Sequence, residues 1–427
     1  MARDRIITGI DIGSAKICTI ISQISPEGKI SVIGVSTVIS KGIKKGVVVD
    51  IDEAVEAIAA SLEGAERMAG YAVSGAFITV DGSHITSLNS KGVVAVSHQE
   101  GEITESDVRR ATEAAQAISI PSNQEIIHVI PRGFSVDSQE GVKDPIGMSG
   151  IRLEVETNII YGSAMVMRNL VKCVERVGVD VQDLIYGGLA SSESVLNDTE
   201  KELGTVLVDL GGGTTDVAIF LSGSPVYASA LPIGGQNITN DLAIGLRISL
   251  EEAEKIKIKL SRRGSDLPVH SRSLNELPGP VEDSGGRLSD EIDISDLGLE
   301  MKTLSRKLTN DIIRARLVEI ISLVALEIKK SGLAGKLPGG LVLTGGSAEI
   351  YGAIEAFKTI LKMPVRVGYP GGVTGLIEEI GGPAYSASLG LITFGSRLSN
   401  SNSSGAVKGK FNNLTKKFTA WVQSLLP

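Results

Sequence analysis

The sequence predicts an α/β protein built as two similar lobes, with a smaller α+β domain inserted in the first and an amphipathic helix at the carboxyl end. Three observations predict it. A β-β-β-α pattern occurs twice, once from residue 6 and again from residue 204. Each copy opens on a strand that delivers Asp-x-Gly into a tight turn. Glycine is abundant, 50 of 427 residues, well above the usual ~7%. Only 14 prolines accompany it, with no collagen period, so the glycines point to tight turns rather than disorder.

In chain order, apolar β-branched runs at 6–12, 15–23 and 30–38 are joined by Gly13-Ser14 and Pro26-Glu27-Gly28, which reads as an antiparallel meander. Asp50 or Asp52 then caps a helix with Val55, Ile58, Leu62 and Ala65 on one face. A strand at 76–80 ends at Asp81-Gly82. Residues 84–162 form the α+β insert, with a helix at 104–118 (Thr104 as cap and Asp107 three residues on) and strand-like runs at 126–130 and 151–155. A helix follows at 164–178. The opening pattern returns in the runs 204–210, 216–221 and 226–232, with Gly211-Gly212-Gly213 at the first turn and helices at 236–246 and 250–260. This self-similarity suggests a duplication. Residues 261–298 lack apolar periodicity and read as a long mobile loop. A helix at 303–331, a strand at 340–343, a glycine turn and a helix at 384–394 complete the body, and the serine-rich stretch 396–406 reads as a flexible linker.

Composition excludes several classes. The length fits two or three domains of ~150 residues, and an apolar content of 42% supplies a sizeable core. The 42 basic and 50 acidic side chains leave a net charge of −8, which argues against a nucleic-acid binder. Cys18 and Cys173 provide no disulfide framework and fit a reducing cytosol. The first apolar run is broken by Asp11, so no signal peptide is expected, and no stretch approaches 18 apolar residues. His84, His98, His128 and His270 are scattered, and no G-x-x-x-x-G-K-[ST] occurs, so neither a zinc centre nor a P-loop is expected.

The chemistry lies in the paired turns, Ile10 to Lys16 (I-D-I-G-S-A-K) and Val208 to Val217 (V-D-L-G-G-G-T-T-D-V). Glycine lets the backbone approach a phosphate so that several N–H groups face one anion, which suits Gly13, Ala15, Gly211, Gly212 and Gly213 and their neighbours. Ser14, Thr214 and Thr215 add hydroxyl donors and Lys16 adds charge. Asp11 and Asp209 repel phosphate but suit a hydrated Mg²⁺, which accepts one or two carboxylates and keeps its waters. A third turn, Leu343-Thr344-Gly345-Gly346-Ser347, has side chains small enough to admit an adenine and ribose. Each turn alone is a common one; the three together predict a nucleotide clamped between two lobes.

Together the three turns resemble the signature of the actin, sugar-kinase and DnaK-type chaperone superfamily. That resemblance implies an actin-like two-lobed fold with duplicated ribonuclease H-like subdomains and ATP in the cleft. Within it, the chain resembles the FtsA family of bacterial cell-division proteins over nearly its whole length. The resemblance rests on H-V-I-P-R-G-F-S-V-D, K-D-P-I-G-M-S-G-I-R-L, G-L-A-S-S-E-S-V-L, V-D-L-G-G-G-T-T-D-V-A, L-V-L-T-G-G-S-A-E-I and P-A-Y-S-A-S-L-G. It implies that Gly234 and Gly235 form a turn near the phosphates and that Glu252 and Lys255 contact sugar and base, although an i,i+3 surface ion pair explains the last two equally well. For Asp216 it leaves open a bridge to the turn backbone.

The expected organisation is a first lobe of 1–83 with 163–202 and 360–395, an insert of 84–162, a second lobe of 203–248 with 332–359, an upper subdomain of 249–331, a linker of 396–407 and a terminal helix of 408–427. In that helix Phe411, Leu414, Phe418, Trp421 and Leu425 recur at steps of 3, 4, 3 and 4, with Val422 widening the stripe. Lys408, Lys410, Lys416 and Lys417 make it cationic without an acidic residue, which suits an anionic membrane surface; docking onto a partner or back on the body is the alternative. The resemblance implies a protein that binds ATP with Mg²⁺, with at most slow hydrolysis, and self-assembles at the cytoplasmic face of the membrane at mid-cell. It further implies binding of the C-terminal peptide of the tubulin-like FtsZ, with Arg316 at a fitting position, and contact with later division proteins through the insert. A small-molecule kinase on the same fold would need a substrate base that the sequence does not display. A chaperone would need a further domain after residue 395.

Overall fold

The computed structural model describes residues 5–97, 101–265, 291–299, 302–376 and 380–401. Two sheets organise them. In the first, strands Arg5–Ile12, Lys16–Ile24 and Ile30–Ile39 run antiparallel, and Gly75–Val80 and then Asp180–Tyr186 add parallel strands beside Arg5–Ile12. In the second, Thr205–Leu210, Thr215–Leu221 and Ser224–Leu231 repeat the antiparallel set, and Leu341–Thr344 and then Val365–Val367 repeat the parallel pair. Five strands therefore share one order and one set of directions in both sheets, as a duplicated unit would.

The strands form where β-branched residues alternate or run unbroken, and they are buried on both faces. Ile10, Ile17 and Ile21 pack under the helix Ile51–Ala69, on Ile58 and Leu62; Ile7, Ile20 and Cys18 pack on the opposite face under the helix Ser386–Ser401. Asp50 begins the first of these helices, its Oδ1 accepting from Glu53 N at 3.0 Å, and Gly70 ends it in the left-handed region at φ 63°. The second lobe has its own core, in which the helix Arg306–Lys330 packs Ile313, Leu317 and Ile320 against Val206, Val208 and Val217.

The insert is a helix, Glu105–Gln116, laid on the long strands Thr86–Ala95, Gln124–Val136, Gln139–Val142 and Arg152–Ser163. It has a separate apolar cluster around Val108, Ala111, Phe134 and Leu153. Its sheet continues the second lobe's, through the pair Ser229 and Thr86 and a 2.7 Å bond from Ala228 N to Ser87 Oγ. Asp107 fastens the helix start: its wholly buried carboxylate accepts from Thr104 N and Oγ1 and from Ser97 Oγ, and pairs with Arg110. Burial pushes its pKa up, but these donors outweigh it and hold the carboxyl well below the usual range. A group depressed in this way contributes stability above its unfolded pKa of ~4, and loses it as pH falls further. Asp107→Ala is therefore expected to cost about 3 kcal/mol at pH 7, and less at pH 3, in urea denaturation.

Four sequence readings need correction. Within 261–298, residues Glu291–Asp293 pair with Thr303–Ser305 and bury Ile292, Ile294 and Leu304 in the second-lobe core; the I-x-I alternation in E-I-D-I is the signal that the loop reading passed over. The helix at 250–260 runs on to Ser265. Val365–Val367 belongs to the second sheet, so the chain returns to the first lobe after it and not at residue 360. The last described helix reaches Ser401, where polar residues without glycine or proline extend it into the expected linker. Residues 402–427, on which the expected terminal helix and its Lys410, Phe411, Leu414, Lys417, Phe418, Trp421, Val422 and Leu425 fall, lie outside the described residues. Among those described, no helix is long and apolar enough to cross a membrane.

Candidate functional site

The duplicated sheets bring their Asp-x-Gly turns face to face. A Cβ on Gly212 would stand 2.6 Å from the Ala15 Cβ, and one on Gly213 would stand 2.7 Å from the Ser14 Cβ, so glycine is required for the turns to meet. Gln236 Nε2 donates to Ser14 O at 3.2 Å across the junction. Gly234 and Gly235 close over the second turn, with Gly235 N donating to Gly211 O at 2.9 Å and Gln236 N to Gly212 O at 2.8 Å. The third turn closes the ring, since Ser347 Oγ donates to Gly211 O at 3.1 Å and Ser347 N to Leu210 O at 2.9 Å. Gly345 adopts φ 89°, where a Cβ would strike Asp209 Oδ1. Gly346 meets only Ala384, at 3.7 Å.

Charge is concentrated on the floor. Asp11 lies at the end of its strand, with Oδ1 accepting from Thr79 Oγ1 at 3.1 Å and Oδ2 from Ser388 Oγ at 2.7 Å. Asp209 accepts from the Ser191 hydroxyl. Burial pushes the Asp209 carboxyl up to about 6; Ser191 pulls it down and Asp11 pushes it up. Asp81 and Asp216 are raised well above the carboxylate range, by burial first, then by Asp11 and Asp209 on Asp81 and by Asp81 and Asp209 on Asp216. Asp81 also accepts from Gly187 N at 3.1 Å, and Asp216 Oδ1 is buried with no hydrogen-bond partner. The Lys16 ammonium is likewise buried without a hydrogen-bond partner, 3.5 Å above the centre of the Tyr385 ring.

These residues fit a polyanion carried with a divalent cation. The carboxylates repel one another in the free protein, and the Lys16 cation is left without an acceptor. Among the described residues, no three of His, Cys, Asp or Glu gather closely enough to enclose a metal by themselves. A cation near Asp11 and Asp209 would therefore keep most of its water, as Mg²⁺ does.

Several expected residues also have partners within the fold. Thr215 Oγ1 donates to Ile233 O at 2.7 Å and locks the turn from inside. Ser14 Oγ accepts from Gly46 N at 2.9 Å, and Thr214 O accepts from Gly211 N at 3.0 Å. Glu252 forms a capping box with Ser249, accepting from its N and Oγ at 2.8 Å each, while Lys255 stands exposed on the same helix. The lysine of that helix which reaches the turns is Lys257, whose Nζ donates to Gly235 O at 3.3 Å and to Thr239 Oγ1 at 2.9 Å. Arg316 is held in a two-pronged pair with Asp241, its Nε 2.6 Å from Oδ2 and its Nη2 2.8 Å from Oδ1. Asp81, Ser191, Lys257, Tyr385 and Ser388 were not singled out by the sequence. For Asp81 the available signal was its place at the end of a buried strand, like Asp11 and Asp209.

Comparison with known proteins gives the family. The model described as "SHS2 domain inserted in FTSA" matches residues 82–161, and that described as "Cell division protein FtsA" matches 206–390. A Pseudomonas aeruginosa "Cell division protein FtsA" is 38% identical over 95% of this chain and 93% of its own. The chain belongs to the FtsA family. The Bacillus subtilis member is 38% identical over 93% of this chain and 85% of its own, and the Escherichia coli K12 member 32% over 99% and 97%. Solved structures share the fold at low identity. The "PilM-PilN type IV pilus biogenesis complex" aligns at TM-score 0.61 and 14% identity over 91% of this chain and 98% of that one. MreB5 of Spiroplasma citri, solved bound to AMPPNP, aligns at TM-score 0.54 and 15% identity over 95% and 100%. The actin-like fold and the SHS2 insert expected of an FtsA protein are thus both present.

Proposed function

We propose that this FtsA-family protein binds ATP with Mg²⁺ in the cleft, assembles with copies of itself and holds the division ring at the membrane. Asp11 and Asp209 would hold the hydrated cation, which supplies positive charge to the phosphate tail. Gly13, Ser14, Ala15, Lys16, Gly211 to Gly213 and Thr214 line the phosphate side, and Gly345, Gly346 and Ser347 the nucleoside side. The single observation that carries the nucleotide reading is the buried Lys16 ammonium without an acceptor, at the meeting of two like Asp-x-Gly turns. The relatives are cell division proteins, which supports the division role over a small-molecule kinase.

On this reading the C-terminal peptide of FtsZ docks on the subdomain of the helix Arg306–Lys330, later division proteins meet the insert 84–162, and the tail 408–427 lies on the anionic cytoplasmic face at mid-cell. An acidic peptide would have to compete with Asp241 for Arg316. The test is electron microscopy of the full chain with ATP on an anionic lipid monolayer, with and without FtsZ. The expected result is membrane-bound filaments that recruit FtsZ, and their loss when 408–427 is deleted. A truncated chain that stays on the lipid, or assemblies indifferent to FtsZ, would sink the reading.

A further inference from the structure

The short segment Pro383 to Ser388 touches both sides of the cleft. Toward the third turn, Pro383 O accepts from Gly345 N at 3.1 Å, and the Ser386 hydroxyl lies 2.6 Å from Thr344 Oγ1. Toward the first turn, the Tyr385 ring lies under Lys16 Nζ at 3.5 Å, and Ser388 Oγ donates to Asp11 Oδ2 at 2.7 Å. Ser194 Oγ donates to Ser386 O at 2.7 Å and ties the segment to the helix Gly187–Val195. Ser386 and Ser388 are wholly buried, so their hydroxyls find partners only inside the protein.

Two charges of the first turn thus take their position from this one segment. The Lys16 ammonium makes no hydrogen bond, so the ring face of Tyr385, together with the charge of Asp209, keeps it over the cleft. The Asp11 carboxylate has one oxygen on Thr79 and the other on Ser388, which fixes its plane and leaves its remaining lone pairs for water or a hydrated cation. Hydroxyl partners of this kind orient a metal-binding carboxylate, and their loss typically weakens metal affinity by about 10–100-fold.

We propose that Tyr385 and Ser388 are positioning residues for the phosphate side of the cleft: Tyr385 sets the Lys16 ammonium where the phosphate tail lies, and Ser388 sets the Asp11 carboxylate for the cation. The proposal rests on the Mg²⁺–nucleotide reading of the cleft. Because the same segment holds the third turn through Pro383 and Ser386, it also links the nucleoside side to the metal side.

The test titrates the full chain with a fluorescent ATP analogue, once in excess Mg²⁺ and once in EDTA, with circular dichroism as the check on folding. Ser388→Ala is expected to reduce the Mg²⁺-dependent gain in affinity about tenfold while affinity in EDTA stays within about twofold. Tyr385→Leu is expected to weaken binding about tenfold in both conditions, and Tyr385→Phe, which keeps the ring, to bind as the parent does. Should Ser388→Ala fail to fold, the Tyr385 pair decides. A full Mg²⁺ gain in Ser388→Ala, or equal binding by Tyr385→Leu and Tyr385→Phe, overturns the proposal. A parent chain that binds no nucleotide in either condition overturns the cleft reading beneath it.

Discussion

A Gly390→Ala chain is expected to lose about 3 kcal/mol or more of stability and so to melt at least about 3 °C below the parent. In an ordinary helix position the same substitution stabilises by roughly 0.5–1 kcal/mol, because alanine restricts the unfolded chain. Here the sign reverses. A Cβ on Gly390 would stand 1.7 Å from the Ala190 carbonyl oxygen and 2.3 Å from its carbon, and a backbone carbonyl cannot step aside as a flexible side chain can. The helices Gly187–Val195 and Ser386–Ser401 would have to part. These helices hold the cleft carboxylates, through Ser191 on Asp209 and Ser388 on Asp11, so nucleotide binding is expected to fail in the same variant. Gly382→Ala, with no atom within 4 Å of its added Cβ, serves as the control and is expected to melt within about 1 °C of the parent. Differential scanning calorimetry checks both; an unaltered Gly390→Ala melt would mean that the two helices do not pack this closely.

Much of this architecture was legible in the sequence. The three-strand openings could be read because β-branched residues run unbroken through strands buried on both faces, and the repeat could be read because Asp-x-Gly follows each opening strand. Helix starts were announced by Asp50 or Asp52, of which the fold uses Asp50, and by Thr104 with Asp107 three residues on. What stayed hidden depends on pairing over long chain separations. Nothing in the run at 86–95 says that Thr86 pairs with Ser229 and joins the insert to the second lobe's sheet. Tyr385 and Ser388 are an aromatic and a small polar residue in a helix-like stretch, and they acquire a role only when the helix packs across Asp11 and Lys16. For Glu252 the resemblance implied a nucleotide contact and the spacing to Lys255 a surface ion pair, while the contact the fold shows is the capping box with Ser249, three residues earlier.

Asp209→Asn is expected to stabilise the ligand-free protein at pH 8 and to remove its response to Mg²⁺ and ATP. The folded carboxyl is pushed up to about 6, by burial first, with the Asp11 charge adding to it and the Ser191 hydroxyl opposing, whereas an unfolded Asp titrates near ~3.9. The folded state therefore holds this proton more tightly than the unfolded state does. Stability falls as pH rises from about 4 to about 6, and above that the full cost remains. Asp209 is only partly buried, so the shift is worth about 2 kcal/mol, less than its face value at 1.36 kcal/mol per unit. Asparagine carries no charge to desolvate and still accepts from Ser191, so the variant should gain that amount at pH 8 and about half of it at pH 5. The parent should regain it, and more, when ATP and Mg²⁺ bind, since a ligand at a hundred times its Kd stabilises by about 2.7 kcal/mol. Thermal melts of both chains at pH 5 and pH 8, with and without Mg²⁺ and ATP, separate the terms. A variant less stable than the parent at pH 8 would mean that Asp209 is held by bonds worth more than its repulsion. A variant that keeps the full ligand-induced shift would remove Asp209 from the cation site.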